Sequence, residues 1–250
     1  MIERTQDGDV AVLTLCHGKA SALDLEFCES LERAVAAEED SPARAIVLTG
    51  RGAIFSAGVD LKRLLAGGAA YVDEFLPALD AALLVLFRCD KPLVAAINGH
   101  AIAGGALLAG ACDLRLLARG PATIGVPELK VGVPFPQAAV EIAHELFPPA
   151  VLGPALYTGR TWNAEEALAA GIVHELVEPA ELLPRALAQA RELAAIPASS
   201  YGISKRLRRA AALERLERDG PRAAHEVREA WSSPEVLAAV EGYVARTLRR

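Results

Sequence analysis

The sequence predicts an α/β fold, and two observations carry this prediction. Short apolar runs of strand length alternate with longer runs of helical apolar spacing through the first half of the 250-residue chain. Hydrophobic residues make up 52% of the chain, which suffices for a large buried core and excludes a disordered protein. Beyond Pro179 the spacing is helical alone. We therefore expect a core over residues 1–195 and a helical region over residues 196–250.

The first predicted unit is a strand, a helix and a second strand. Val10–Cys16 and Ala45–Thr49 are apolar runs of strand length. The segment between them carries apolar residues at helical spacing, and Ser21 or Asp24 is a suitable cap for a helix to about Glu38. This order predicts a parallel strand pair joined by a right-handed crossover.

The next predicted unit contains an interrupted helix. A glycine-rich loop over Gly50–Leu61 turns into a helix, and Gly67-Gly68 interrupts that helix before a second run over about Val72–Phe87. Such a stretch between two buried strands is a candidate mobile lid, with an ordinary loop as the alternative. Leu93–Ala96 is predicted as the strand that follows.

The stretch Ile97–Leu107 contains the strongest functional pattern. It leads from the predicted strand through a tight turn into a helix that opens at Gly104 and Gly105. The first N–H groups of a helix have no partner within it, and the helix dipole adds to their attraction for an anion or a developing oxyanion. Taken alone, the pair of glycines is equally consistent with two closely packed elements.

Shorter elements are predicted in the following segment. Asp113–Leu117 and Ala122–Gly125 have the composition of short strands. Asn163 and Glu166 have the spacing of a capping box at the start of a helix, and Gly171 is a suitable residue to end it.

The last part of the chain is predicted to be helical after one more extended segment, Ile172–Val177. We expect it to be an appendage that packs on a neighbour. Its basic run at residues 205–209 is interpreted as a solvated helix face, with phosphate contact as the alternative. Prolines are predicted to break the helices at Pro184, Pro197, Pro221 and Pro234.

Charge and composition argue against several classes of partner. The formal net charge of -6 is unfavourable for a nucleic-acid-binding surface, and no apolar run reaches the length of a membrane span. The first residues lack the basic-then-apolar order of a signal peptide. We therefore expect a cytoplasmic protein without nucleic-acid or membrane partners. The cysteines lack CxxC spacing and are predicted to be buried free thiols: Cys16, Cys28, Cys89 and Cys112.

Five motifs together resemble one known family. Phe55–Lys62 and Ile97–Gly105 are similar in sequence and spacing to the two glycine turns of the crotonase (enoyl-CoA hydratase/isomerase) superfamily. Cys112–Arg115, Pro127–Gly132 and Thr158–Gly171 follow in the family's order, so that the resemblance covers about residues 10–178.

The resemblance implies a fold, an assembly and a substrate class. The fold is a spiral of ββα turns followed by a C-terminal helical region used in trimer assembly, which predicts a homotrimer or a dimer of trimers. The substrate is an acyl-CoA thioester, with CoA as part of the substrate and no separate cofactor. The resemblance places an oxyanion hole on the backbone N–H groups of Val59 and Gly104.

The CoA contacts are also implied by the resemblance. Ala57, Leu61 and Lys62 correspond to positions along the bound CoA or substrate. Lys19, just past the first predicted strand, is a further candidate for a CoA contact, with a solvated cation as the alternative.

The acid–base residues predict which reaction follows. Hydratases of the family use two glutamates; this chain has Leu107 at the first position and retains the second as Glu128. Leucine cannot activate water, whereas one carboxylate is enough to move a proton from C2 to C4 of a 3-enoyl-CoA. We therefore predict a Δ3,Δ2-enoyl-CoA isomerase with Glu128 as the proton shuttle, its pKa raised by an apolar pocket.

Two alternatives to the isomerase stay open as the second and third readings of the sequence. A hydratase, or a hydrolase of a CoA thioester or β-diketone, is possible if Glu141 supplies a relocated second carboxylate. A non-catalytic acyl-CoA-binding protein is a third reading. His100 is interpreted as a packing residue, with a catalytic role as the alternative. The pair formed by Glu141 and His144 has the E-x-x-H spacing of a metal ligand pair, but a di-metal site requires a second such pair. No metal is therefore expected.

Overall fold

The computed structural model describes residues 1–247, and its larger sheet has six strands. In spatial order these are β1 (Ile2–Asp7), β2 (Val10–Leu15), β3 (Ala45–Gly50), β5 (Leu93–Ile97), β7 (Leu114–Ala118) and β10 (Glu175–Val177). Each pair from β2 to β10 is parallel, and only β1 joins antiparallel, through a hairpin with β2. The predicted parallel crossover is therefore confirmed.

A second sheet of four short strands lies alongside. Its strands, in spatial order, are β4 (Ile54–Ser56), β6 (His100–Ile102), β8 (Thr123–Gly125) and β9 (Thr161–Asn163). The chain visits the large sheet and then the small one at β3–β4, β5–β6 and β7–β8, each time before a helix. This repetition is the ββα spiral that the family resemblance implies.

Helices follow the strand pairs and then complete the chain. They are α1 (Leu25–Glu39), α2 (Leu61–Arg88), α3 (Gly104–Ala111), α4 (Glu128–Val131), α5 (Gln137–Leu146), α6 (Pro149–Thr158), α7 (Ala164–Ala169), α8 (Leu182–Ala194), α9 (Ala198–Trp231) and α10 (Pro234–Thr247). The larger of two hydrophobic clusters joins the strands to α1, α2, α3 and α5. The smaller one places α8 against the outer face of the large sheet.

The local signals predicted several boundaries correctly. Asp24, not Ser21, caps α1 and accepts a hydrogen bond from the N–H of Phe27 at 2.9 Å. Asn163 and Glu166 form the reciprocal capping box of α7. Gly171, with φ of 73°, follows the end of that helix. Strands β1, β4, β6 and β9 were not predicted, because β1 is largely polar and the other three have three residues each.

Gly68 is the point at which α2 is interrupted. Its φ of 57° and ψ of −149° are not helical, so the helix kinks there as the sequence predicts. Motion of this segment as a lid stays a prediction.

Three expectations were wrong. Pro184 lies in the first turn of α8, where its missing N–H is not needed, and Pro221 lies inside α9 without ending it. The strand predicted to include Cys16 ends at Leu15, so the Cys16 thiol is half-buried rather than buried; all four cysteines are free.

The basic run at residues 205–209 is not a solvated face as a whole. Lys205 and Arg209 are buried, and both pair with Asp113 of the core, at 2.8 and 3.1 Å. Arg206 and Arg208 remain exposed as predicted, in surface ion pairs with Asp90 and Glu145. Helix α9 therefore packs on α2 and α5 of its own chain. No helix within residues 1–247 combines the length and apolar character needed to cross a bilayer.

Candidate active site

The turn after β4 presents an unused backbone donor. Leu23 pairs with this turn on both sides of Val59: its N–H donates to Gly58 at 2.8 Å, and its carbonyl accepts from Asp60 at 2.9 Å. This pairing holds Val59 in an extended position. Within residues 1–247, no acceptor lies within hydrogen-bonding distance of the Val59 N–H.

A second unused donor lies at the start of α3. The N–H of Ala103 donates to the carbonyl of Gly125 at 2.8 Å, which fixes the end of β6 beside β8. The Leu107 N–H closes the first helical turn onto the Ala103 carbonyl at 3.2 Å. Gly104, as the first helical residue, has no intrahelical acceptor, and no other group of the described chain accepts from its N–H.

Close packing of two glycines brings these donors together. Gly58 has φ of +80°, and a Cβ placed on it would lie 3.2 Å from the N atom of Gly104. A Cβ on Gly104 would in turn overlap Cδ1 of Leu23. A side chain at position 104 would therefore require the Leu23 side chain to move. Two unpaired backbone N–H groups on adjacent turns are the kind of donors from which an oxyanion hole is built.

Ala103 has a strained backbone conformation. Its φ of 54° and ψ of −128° lie in a region that a residue with a side chain rarely adopts. The bond to Gly125 and the helix start on its other side impose this conformation, which turns the chain from β6 into α3.

Glu128 is a buried carboxylate near these turns. It opens α4, three residues after Gly125, and is 7% exposed. Its Oε2 atom is enclosed and has no hydrogen-bond partner among the described residues. Burial raises the pKa of Glu128 to about 8. A carboxyl group in this state can accept and release a proton near neutral pH.

The surroundings of Glu128 are apolar. Leu107, one helical turn beyond Gly104, is 3% exposed and belongs to the same hydrophobic cluster as Val126 and Val131, which flank Glu128 in the chain. Helix α10 packs against α4, since a Cβ on Gly132 would lie 2.7 Å from Cβ of Ala239. With only 7% of its surface exposed, Glu128 is largely removed from water.

The residues predicted along CoA lie at one edge of the site. The N–H of Ala57 donates to the carbonyl of Ala20 at 3.0 Å, which places Lys19 beside the exposed Ala57 turn. Lys62 is exposed at the start of α2, and Leu61 packs partly against the core. Neither lysine pairs with a carboxylate of residues 1–247, so both ammonium groups are available to an anionic ligand.

Three other candidates are held by partners. Both oxygens of Glu141 are bound by Arg215, at 2.8 and 2.6 Å, so Glu141 does not supply a free second carboxylate. His100 Nδ1 lies 2.9 Å from Oγ1 of Thr123 on the neighbouring strand, which fits a packing role. His144 Nδ1 contacts the carbonyl of Val140 at 2.8 Å in its own helix.

Aromatic residues near the site were not singled out in the sequence. Trp231 is buried at the end of α9; its indole N–H donates to the Pro134 carbonyl at 2.9 Å, and its ring packs on Phe75 of α2. The hydroxyl of Tyr71, one turn before Phe75, accepts from the N–H of Leu25 at 3.0 Å. No local pattern reports such contacts, because their partners are distant in the chain.

Comparison with known proteins identifies the family to which the chain belongs. The family model described as enoyl-CoA hydratase/isomerase matches residues 5–245. A carnitinyl-CoA dehydratase of Salmonella arizonae is 38% identical over 191 residues, which are 76% of this chain and 72% of that protein.

Two solved structures superpose on nearly all of the chain. The human mitochondrial Δ3,Δ2-enoyl-CoA isomerase superposes with a TM-score of 0.93 at 28% identity, over 98% of this chain and 97% of that one. An enoyl-CoA hydratase of Bacillus halodurans superposes with a TM-score of 0.86 at 26% identity, over 96% and 99%. With the family model matching nearly the whole sequence, the chain belongs to the enoyl-CoA hydratase/isomerase family, the crotonase superfamily that its glycine motifs resemble.

Proposed function

We propose that this protein is a Δ3,Δ2-enoyl-CoA isomerase, which converts 3-enoyl-CoA to 2-trans-enoyl-CoA. The observation that carries the proposal is the pairing of one buried, unpartnered carboxylate, Glu128, with the apolar Leu107 where a hydratase of the family has its other glutamate. One such group can move a proton between two carbons. It offers no second carboxylate to hold and activate water.

The reaction starts at the thioester carbonyl. The N–H groups of Val59 and Gly104 donate to the thioester oxygen, and Glu128 removes a proton from C2. The electron pair delocalises over the carbonyl and the C3–C4 double bond as a dienolate. Each backbone donor stabilises the negative oxygen by about 3–4 kcal/mol, on the precedent of other oxyanion holes.

The second half of the reaction returns the same proton. Glu128, now protonated, donates to C4, and the electron pair moves to form the C2–C3 double bond. Atoms and electrons balance without water, metal or an added cofactor. The raised pKa of Glu128 suits it to both halves, because neither protonation state is strongly disfavoured near neutral pH.

Binding and assembly complete the proposal. Lys19 and Lys62 contact the anionic part of CoA, while Ala57 and Leu61 line its path. The proposed assembly is a homotrimer or a dimer of trimers in the cytoplasm, in which residues 196–250 contribute to subunit contacts.

A hydratase or dehydratase is the second candidate, favoured by the similarity to carnitinyl-CoA dehydratase. In that reaction Glu128 protonates or deprotonates carbon while a water molecule enters or leaves at C3. Leu107 weighs against a hydratase or dehydratase. It occupies the position from which a glutamate would orient this water molecule, and its hydrocarbon side chain cannot do so.

The two candidates are separated by matched substrates. The protein is incubated with 3-enoyl-CoA and 2-enoyl-CoA esters of one chain length, and the products are analysed by mass and chromatography. An isomer of unchanged mass supports the proposal; a product heavier by one water supports the second candidate. Glu128→Gln is expected to lose activity by at least a thousandfold, whereas Glu141→Gln, another buried glutamate, is the matched control and retains it. Normal turnover by Glu128→Gln would overturn the mechanism.

A further inference from the structure

A cavity of about 510 Å³ lies where α2, α5 and α9 meet. Its walls are largely apolar, and Leu76 and Leu84 of α2 face Val227 of α9 across it. Its lining includes none of the residues that form the candidate active site, namely Val59, Gly104, Leu107 and Glu128. The volume falls in the range of small-molecule sites, about 300–1,000 Å³.

Asp80 is an unpaired carboxylate in the wall of this cavity. It lies on α2 between Leu76 and Leu84, one turn from each. Its Oδ1 atom is enclosed and has no hydrogen-bond partner among residues 1–247, and no cation of those residues forms an ion pair with it. Burial without compensation raises the pKa of Asp80 to about 6. Its charge therefore lacks a partner at neutral pH.

Gln137 adds a second unused acceptor to the same cavity. Its Nε2 donates to the carbonyl of Arg215 at 3.0 Å, which fixes the orientation of the amide group. Its Oε1 atom is buried and, like Asp80 Oδ1, has no donor within residues 1–247. Two acceptors without a donor in one cavity indicate a ligand that supplies hydrogen-bond donors.

Gly220 also lines this cavity, on the α9 side and close to Gln137. It lies inside the 34-residue helix α9, and a Cβ at this position would lie 4.0 Å from Oε1 of Gln137. Glycine and the following Pro221, both in the cavity wall, are unfavourable inside a helix by about 1 and 3 kcal/mol. The helix thus carries two residues of low helix propensity in the wall of the cavity.

The other charged groups of the cavity lie at its rim. Arg228 is 3.8 Å from Asp73 and contacts His225 at 3.5 Å. Arg88, the remaining charged lining residue, is exposed eight residues along α2 from Asp80, which corresponds to about 12 Å of helix. None of these groups neutralises Asp80.

We propose that this cavity is a second small-molecule site, which binds an amphipathic amine through its ammonium group at Asp80. An ammonium group supplies three donors and a positive charge, which matches one carboxylate and one amide oxygen. The apolar body of the ligand packs on Leu76, Leu84 and Val227. This site is independent of the proposed reaction at Glu128.

The test uses n-hexylamine, protonated at pH 7.5, and 1-hexanol as its neutral counterpart of equal length. Binding to the intact protein is measured by titration calorimetry. Hexylammonium is expected to bind saturably and at least tenfold more tightly than hexanol. Asp80→Asn is expected to weaken hexylammonium binding at least tenfold, while Asp73→Asn, a carboxylate at the rim, changes it less than twofold.

Two further measurements keep the result interpretable. Gly220→Leu places a larger side chain in the cavity wall beside Gln137 and is expected to weaken binding of both probes, with thermal melting and enoyl-CoA turnover confirming that the variant is folded. Equal affinity of both probes, unchanged binding by Asp80→Asn, or no saturable binding of hexylammonium would each overturn the proposal.

Discussion

The backbone N–H of Ala103 donates to the carbonyl of Gly125 at 2.8 Å, and this one bond joins the two halves of the candidate active site. On one side, Ala103 is followed directly by the unpaired N–H of Gly104. On the other, Gly125 precedes Glu128 by three residues. The donor and the base are therefore attached to neighbouring strands of one small sheet. We expect their separation to be insensitive to motion in α2.

The pH dependence of turnover tests the state of Glu128. The base must be ionised to remove a proton, and its pKa is raised to about 8. We expect kcat/KM to rise about tenfold per pH unit below pH 8 and to level off above it. The measurement is kcat/KM for a 3-enoyl-CoA at pH values from about 5.5 to about 9.5. A profile that is already level from about pH 5.5 upward would show that the carboxylate is solvated and titrates at its ordinary pKa, contrary to the buried geometry.

The same carboxylate lowers stability at high pH. Its pKa in the folded state lies above the ordinary value of 4.5, so the native protein holds a proton that the unfolded chain releases. Stability is consequently lost as pH rises from 4.5 to about 8. Glu128→Gln cannot ionise at this position. As pH rises over this range, the free energy of unfolding of Glu128→Gln is expected to increase relative to that of the wild type, by up to about 5 kcal/mol. Urea unfolding of both proteins at pH 5 and pH 9 measures the difference; an equal gap at both values would contradict this account.

Leu107 is expected to determine the choice between isomerisation and hydration. Leu107→Glu introduces a carboxylate one helical turn from Gly104, where it can orient water toward the substrate. We expect the variant to form a water adduct from 2-enoyl-CoA, at a cost in stability of several kcal/mol from burying the charge. Leu107→Gln is the matched control, similar in size but unable to act as a base. A folded Leu107→Glu protein with isomerase activity alone would contradict the assignment.

Local sequence signals predicted the parts of this structure that depend on neighbouring residues in the chain. The cap at Asp24 and the capping box of Asn163 and Glu166 fall in this group, because donor and acceptor lie within a few residues of each other. The glycine turns were predicted through the family resemblance. Their unpaired donors depend on Leu23, whose contact with Gly58 and Asp60 no periodicity reports.

Features that depend on distant partners were not predictable in this way. The strands Ile54–Ser56 and His100–Ile102 have three residues each, and pairing with each other, not propensity, makes them strands. The burial of Lys205 depends on Asp113, 92 residues earlier in the chain. The same holds for Glu141, whose partner Arg215 lies 74 residues away.

Replacing Ala103 by glycine is expected to stabilise the protein. Its φ of 54° is unfavourable for alanine and free of strain for glycine. Relief of this strain outweighs the greater entropy of glycine in the unfolded chain, so Ala103→Gly is expected to raise the free energy of unfolding by about 1 kcal/mol. Ala106→Gly, in the interior of the same helix, is the control and is expected to lower it by about 1–2 kcal/mol. Denaturant unfolding measures both; destabilisation by Ala103→Gly would show that the turn is not strained.

Asp113 is expected to hold the long helix α9 on the core. It accepts hydrogen bonds from Tyr201 at 3.0 Å and Lys205 at 2.8 Å, while Arg209 contacts its other oxygen at 3.1 Å. Burial lowers the pKa of Lys205, so its ammonium group depends on this carboxylate for compensation. Asp113→Ala leaves two buried cations without their partner and is expected to lower the free energy of unfolding by about 3–5 kcal/mol.

The matched control for Asp113→Ala is Arg206→Ala, which removes an exposed ion pair with Asp90 from the same helix. An exposed pair of this kind contributes less than about 1 kcal/mol, so the control is expected to unfold close to the wild type. Urea unfolding at pH 7 compares the two variants. Because Asp113 also accepts from the N–H of Leu93 at the start of a central strand, Asp113→Asn separates charge from hydrogen bonding. If charge compensation by Asp113 holds α9, the free energy of unfolding of Asp113→Asn is expected to lie near that of Asp113→Ala. A free energy of unfolding near that of the wild type would instead show that hydrogen bonding by Asp113 is the main contribution.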